Sequence, residues 1–357
     1  MTFRNVSLFA VLSRAVIPCL LVSAFLSPRQ VLAWGNTGHE AVAYVAWQQL
    51  NPATRTRVMQ LLMLVPTLQN PNVPPKGRQA ASIPGYSDWV AALPAGLTDD
   101  QRNLYLFMRA ATWPDTIKHE WFHDSDTPPS GVTNDVNIGF TDTASHGYWH
   151  FVDAAFASDK STPPPTPAPN AATQIAAFRT AIASSEEDPL KSYDLVWLEH
   201  LVGDIHQPLH GATRYYAKVS DVGGNNVKVK LPAAMKKLFE GTLSKSAPSE
   251  LHAFWDDLPG EGDPAAALPN AASFAAALSA VQDGVSDTDP AGWAAESFAL
   301  AKKNAYKNPP IGKGPKPRIA SSYSIPQSYY DASLDVAKVR VALAGARLAK
   351  LLNENLQ

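Results

Sequence analysis

The chain has 357 residues, 30 basic against 32 acidic for a formal charge of −2, and 45% of them are apolar. That is enough apolar material for a large core, and it excludes a disordered polyelectrolyte. No basic stripe of the kind that coats duplex nucleic acid is present, so a phosphate-bearing partner would have to be held by bound cations instead.

Residues 1–33 contain Arg4 and Arg14, no acidic residue, an apolar run from Ala15 to Leu26, and small residues Val31 and Ala33 at the −3 and −1 positions. They read as a secretory signal peptide cleaved after Ala33, with an apolar core short for a membrane span; the rival reading is a signal anchor. Its removal takes three arginines and the only cysteine, Cys19, leaving 27 basic against 32 acidic residues and a charge of −5. A secreted chain without disulfides needs rigidity from its core, from metals, or from both. Cleavage also makes Trp34 the first residue. Its free α-amine and its own carbonyl oxygen can then chelate a cation, with His39 five residues on.

Apolar spacing predicts helices over His39 to Leu50, Arg55 to Leu64, Asn103 to Ala111, Thr173 to Ser184, Leu190 to His206, Met235 to Leu243, Ala271 to Val281, Ala291 to Ala305 and Ser328 to Leu352. Pro66–Pro94, His119–Ser145, Lys160–Asn170 and Lys303–Pro326 read as loops. One hairpin is expected after Val222-Gly223-Gly224-Asn225-Asn226, where Val227, Val229 and Leu231 alternate with lysines. The expected fold is mainly α: a single globular helical domain over 34–357 with inserted loops and one small β-hairpin.

Five segments carry donors suited to zinc. They are Trp34 to His39; Asp115 with Lys118; His150-Phe151-Val152-Asp153; His200 to His210, with Asp204 between; and His252 with Asp256. His200/Asp204 and His252/Asp256 are four apart and share a helix face. Pro208 ends the first of these helices and swings His210 out. A single such pair is more often a surface or buried polar contact than a ligand pair; it is the convergence of five segments that points to metal. Trp113 and Trp149 read as core aromatics. His119, His123 and His146 read as ordinary surface histidines, and His206, which points off the ligand face, as either a support behind the ligands or a structural residue.

With these motifs the chain resembles the S1/P1 nuclease family, class I secreted nucleases whose fold is shared with zinc-dependent phospholipase C. The matches run in family order: Trp34 with His39, Trp113-Pro114-Asp115 with Lys118, Trp149-His150-Phe151-Val152-Asp153, His200 to His210, Val222-Gly-Gly-Asn225, and Leu251-His252 with Trp255-Asp256. The resemblance implies three zincs. The first is held by Asp115, His150, His200 and Asp204, and the second by His210, His252 and Asp256. The third takes the Trp34 amine and carbonyl, His39 and Asp204. It further implies metal-assisted hydrolysis of phosphodiesters in single-stranded DNA or RNA to 5′-phosphate products, with 3′-nucleotidase activity. Asp115 and Lys118 would act at the phosphate, and Phe151, Asp153, Val222 and Asn225 would hold a base. A secreted or periplasmic monomer without stable membrane association is expected. The rival functions are a zinc phospholipase C on the same scaffold and a non-catalytic zinc-binding protein. The missing disulfides, the long intervals around Asp115 and before His252, and Glu250 in place of the usual Asn depart from the family pattern.

Overall fold

The structure, a computed structural model, describes residues 34–69, 82–120, 137–142, 144–159, 161–240, 246–260, 272–277, 279, 281–307, 309–314, 317 and 322–356. The expected leader 1–33, His123, the side chain of His119, and parts of the helices expected at 235–243 and 271–281 lie outside them.

Helices dominate. In chain order they are α1 (Asn36–Trp47), α2 (Pro52–Leu62), α3 (Tyr86–Ala91), α4 (Asp99–Ala110), α5 (Trp113–Glu120), α6 (Ala171–Ile182), α7 (Asp188–Asp204), α8 (Ala233–Leu238), α9 (Leu251–Asp256), α10 (Pro290–Leu300) and α11 (Gln327–Asn355). Local chemistry starts many of them. Asn51 accepts from the Thr54 amide ahead of Pro52, Thr98 and Gln101 cap each other's backbone, and Asn170 accepts from the amides of Ala172 and Thr173. Helix α3 falls in a stretch expected to be loop; six residues are too few to show a helical period.

The centre of the fold is α7, in which every residue from Ser192 to Asp204 is buried. Its polar groups, Asp194, Glu199, His200 and Asp204 among them, are therefore buried along with its apolar ones. Helices α1, α2, α5, α6 and α11 pack against it. The 29-residue α11, about 44 Å long, also packs along α1. Where the two meet, a Cβ on Gly345 would come within 2.5 Å of Val45 Cβ, so the close approach requires glycine. No helix among the described residues is long and apolar enough to cross a membrane.

The small hairpin exists, but ahead of its expected place. Strands β4 (Ala212–Tyr216) and β5 (Val219–Ser220) pair antiparallel across Ala217 and Lys218, at φ 47° and 64°. Two positive φ values make a primed turn, which normally advertises itself with Asn or Gly; Ala-Lys leaves no such signal. Strand β3 (Ala154–Ala157) joins β4 in parallel, whereas β6 (Lys228–Lys230), the expected hairpin arm, pairs in parallel with distant β7 (Ser322–Ser324). Two short strands, Leu68–Gln69 and Ser82–Ile83, pair separately.

Beyond α7 the chain is clamped. Ser297 Oγ donates to the Ile205 carbonyl, and Arg340 Nε donates to that of His206 at 3.0 Å. His206 Nδ1 donates to the Val202 carbonyl at 2.7 Å, so its bare Nε2 accepts from Arg347 at 2.9 Å. Burial and the two arginines push His206 well below the usual imidazole range. It is structural, one of its two expected roles. Both guanidiniums share Glu296. Arg340→Leu should lower unfolding stability by about 3 kcal/mol, because it leaves buried acceptors without their charged donor. An unchanged urea midpoint would show that Arg347 suffices.

Candidate metal centre

The last turn of α7 presents His200 and Asp204 together, with His200 Nε2 3.2 Å from Asp204 Oδ2. His150, from the short 3-10 turn Gly147–His150, brings Nδ1 to 2.8 Å from the same oxygen and 2.9 Å from His200 Nε2. From α5, Asp115 Oδ1 lies 3.5 Å from His200 Nε2 and 3.9 Å from His150 Nδ1. From α1, His39 stacks on His200 with ring centroids 3.8 Å apart and places Nε2 3.4 Å from Asp204 Oδ1. That stacking needs Gly203, where a Cβ would sit 2.8 Å from His39 Nδ1. Past Pro208, His210 Nε2 lies 3.8 Å from Asp256 Oδ1, and His252 Nε2 lies 3.4 Å from Asp256 Oδ2 on α9. Asp204 Oδ1 is also 3.7 Å from His210 Nδ1.

Three buried groups result: His39, His200 and Asp204; Asp115, His150 and His200; and His210, His252 and Asp256. Asp204 touches residues of all three. Every His and Asp expected to bind metal is thus brought together, although they come from five separate segments.

The surroundings orient the rings. His200 Nδ1 is bonded to the Ala111 carbonyl, His210 Nδ1 to the His150 carbonyl, and His252 Nδ1 to the Gly223 carbonyl, at 2.7–2.8 Å. Since carbonyls only accept, each Nδ1 carries the hydrogen and each Nε2 offers a lone pair to the centre. Gln207, unremarked in the sequence, donates to Asp256 Oδ1 at 2.6 Å. Neither it nor the three carbonyls had a sequence signal, because their role depends on contacts between segments.

Buried atoms at this centre lack hydrogen-bond partners: both nitrogens of His39, Nε2 of His150, His210 and His252, and Oδ1 of Asp204. Such groups are costly unless something satisfies them. Burial pushes His39, His150 and His210 well below the usual imidazole range and His252 down to about 4, so these rings are neutral donors near pH 7. Burial lifts Asp204 to about 6 and Asp256 well above the carboxylate range. For Asp115 burial acts upward too, but the Lys118 ammonium together with the His200 and His39 rings outweighs it and the carboxyl settles at about 2. Neutral imidazoles and strained carboxylates around shared points are a donor set that a divalent cation relieves, and the nitrogen–oxygen mix fits zinc.

The remaining predicted residues surround this centre. Lys118 Nζ is 3.0 Å from Asp115 Oδ1 and 5.7 Å from the Phe151 ring centroid. The Phe151 ring lies 4.6 Å from His210 and 5.9 Å from His252. Asp153, at φ 52°, donates its amide to the His210 carbonyl. Val222 is 43% exposed at φ 53°, next to the Gly223 that holds His252. Asn225 Nδ2 donates to the Val222 carbonyl at 2.7 Å, which ties the turn together. Trp34 is fully buried; its indole donates to the Gly203 carbonyl at 3.0 Å, and the Gly35 amide donates to the Asp256 carbonyl at 2.9 Å. One reading is overturned: His146 is buried, not on the surface. It stacks on Trp149 at 3.6 Å and bonds Asp142 and Tyr148. A polar neighbourhood in sequence had concealed an aromatic one in space.

Endonuclease 4 of Arabidopsis thaliana is 24% identical over 269 residues, covering 68% of this chain and 74% of the plant protein. A family model described as S1/P1 Nuclease matches residues 34–357. The chain therefore belongs to the S1/P1 nuclease family, hydrolases that act on phosphodiester bonds.

Proposed function

We propose that this protein is a secreted, monomeric, zinc-dependent endonuclease that cuts single-stranded DNA and RNA to 5′-phosphate products and also acts on 3′-nucleotides. The convergence of three buried His/Asp groups on Asp204, beside Lys118 and Phe151, carries the reading. Residues 1–33 would be removed on export, leaving 34–357 as one catalytic domain.

Asp115, His150, His200 and Asp204 would hold one zinc. His210, His252 and Asp256 would hold a second, and His39, Asp204 and the Trp34 amine and carbonyl a third. When bound, the ions supply Lewis acidity and make water nucleophilic at neutral pH. The ionised Asp115 carboxylate accepts a hydrogen bond from the attacking water and orients it. Lys118 stands one helical turn away, where its ammonium can meet the non-bridging phosphate oxygens. Phe151 and Val222 sandwich the neighbouring base, and Asp153 and Asn225 meet its polar edge. A stacking slot accepts any unpaired base, which favours single strands.

Single-stranded DNA, RNA, a 3′-mononucleotide and a choline phospholipid assayed side by side test the reading. Turnover of the nucleic acids is expected; turnover of the lipid alone would make the protein a phospholipase C. A zinc-loaded protein that cuts none of them would be a metal-binding protein only.

Acid should release metal through the carboxylates first. Burial lifts Asp204 to about 6 and Asp256 well above the carboxylate range, so protons compete for these oxygens before they reach the His252 imidazole, which burial holds down at about 4. Zinc content after dialysis from pH 8 downward should begin to fall by about pH 6. Full zinc content retained down to about pH 4 would contradict the raised carboxylates.

A further inference from the structure

Strands β3 and β4 both start at the metal centre: β3 follows Asp153, and β4 follows His210 and Gly211. They run away from it in parallel, with Phe156 opposite Arg214 and Ala157 opposite Tyr215. Residues in register share a face, and alternate residues take the other. One face is packed. Arg214 is buried and donates to Ser158 Oγ and the Gly314 carbonyl, and Phe156 lies against Phe298 and Tyr306.

The opposite face carries Ala155, Ala157, Thr213 and Tyr215. Ala155, Ala157 and Tyr215 are all half-buried, so small side chains flank the tyrosine. Thr213 Oγ1 accepts from the Gly223 amide at 3.2 Å and bonds Ser220 Oγ at 2.9 Å, which ties this face to the Val222 turn. Tyr215 pairs with Ser220, and the Gly223 amide on Thr213 Oγ1 sets the turn that carries Val222 beside Thr213. Tyr215 therefore stands one strand repeat from that turn, about 7 Å along β4. Beyond it, at the hairpin tip, Lys218 is exposed.

We propose that Tyr215 and Lys218 form a subsite for the nucleotide that follows the slotted base on a single-stranded substrate. The inference rests on the nuclease reading and extends it. The tyrosine ring provides a stacking surface that any base can use, and the lysine meets the phosphate beyond it. The surface is continuous with the slot, and its charge suits a polyanion on a chain that is acidic overall. It makes length a determinant of specificity: a 3′-mononucleotide fills the slot but ends before Tyr215.

The test compares kcat/KM for a single-stranded oligodeoxynucleotide with that for a 3′-mononucleotide, in wild type, Tyr215→Ala, Tyr215→Phe and Lys218→Ala. The oligonucleotide-to-mononucleotide ratio should fall about tenfold in Tyr215→Ala and hold in Tyr215→Phe, which keeps the ring. Lys218→Ala should reduce the slope of log kcat/KM against log salt by about one on the oligonucleotide. A ratio unchanged in Tyr215→Ala, or lost equally in Tyr215→Phe, would overturn the subsite while leaving the nuclease intact. A wild type that cuts neither substrate would overturn the nuclease reading itself.

Discussion

Asp204→Asn should remove bound zinc from the centre and lower phosphodiester hydrolysis by about three orders of magnitude, roughly 4 kcal/mol of transition-state stabilisation. The expectation follows from its position. One oxygen lies 2.8 Å from His150 and 3.2 Å from His200, and the other 3.4 Å from His39 and 3.7 Å from His210. No other carboxylate at the centre approaches four imidazoles so closely. Asparagine keeps the size but loses the charge and one anionic oxygen, so ions on both sides lose a shared ligand.

The substitution should also uncouple stability from metal. Ligand that binds only the folded state stabilises it by about 2.7 kcal/mol at a hundredfold excess over Kd, so chelation should lower the thermal midpoint of wild type clearly and that of the variant little. Because the variant in chelator resembles wild type in chelator, this comparison separates metal loss from misfolding. Full zinc content with normal rates in Asp204→Asn would show that Asp204 is not a shared ligand.

The second large effect concerns the α-amine that cleavage before Trp34 would free. A protein that begins at Trp34, compared with one carrying a single extra residue before it, should hold one more zinc and work at least about a hundredfold faster. The extra residue turns the α-amine into an amide, whose nitrogen lone pair is delocalised into the carbonyl and no longer donates to a metal. The rest of the anchorage is independent of that amine. The Trp34 indole still reaches the Gly203 carbonyl, and the Gly35 amide still reaches the Asp256 carbonyl. The two proteins should therefore melt at similar temperatures once chelated, while differing in metal and rate. Equal zinc content and equal rates would remove Trp34 from the ligand set. The expected outcome would make leader removal an activation step.

The helices and the paired donors were readable because both obey short-range rules. The apolar period placed the helices but started three of them at Arg55, Asn103 and Thr173, inside the starts that Asn51-Pro52, Thr98 with Gln101, and Asn170 set through bonds made within three residues. His200 with Asp204 and His252 with Asp256 are adjacent on a helix whatever lies around them. The hairpin at Ala217-Lys218 and the burial of His146 were not readable. The first turn lacks the residue types that signal it, and the second depends on Trp149 and Asp142 folding around the ring.

Chain chemistry was thus sufficient to establish which residues carry donor atoms and on which local elements they sit. It could not set how those elements meet. Asp204 comes within 4 Å of imidazoles from all three groups only because α1, the turn before Phe151 and the chain beyond Pro208 converge on the end of α7. Gln207 matters only because α9 comes within its reach, and Tyr215 shares a face with Ser220 only through the register of β4 with β5. Periodicity and capping act over a few residues of one segment, whereas a shared ligand, an orphaned lone pair or a stacking platform is made by side chains distant in sequence, and their positions are set by packing of the whole core.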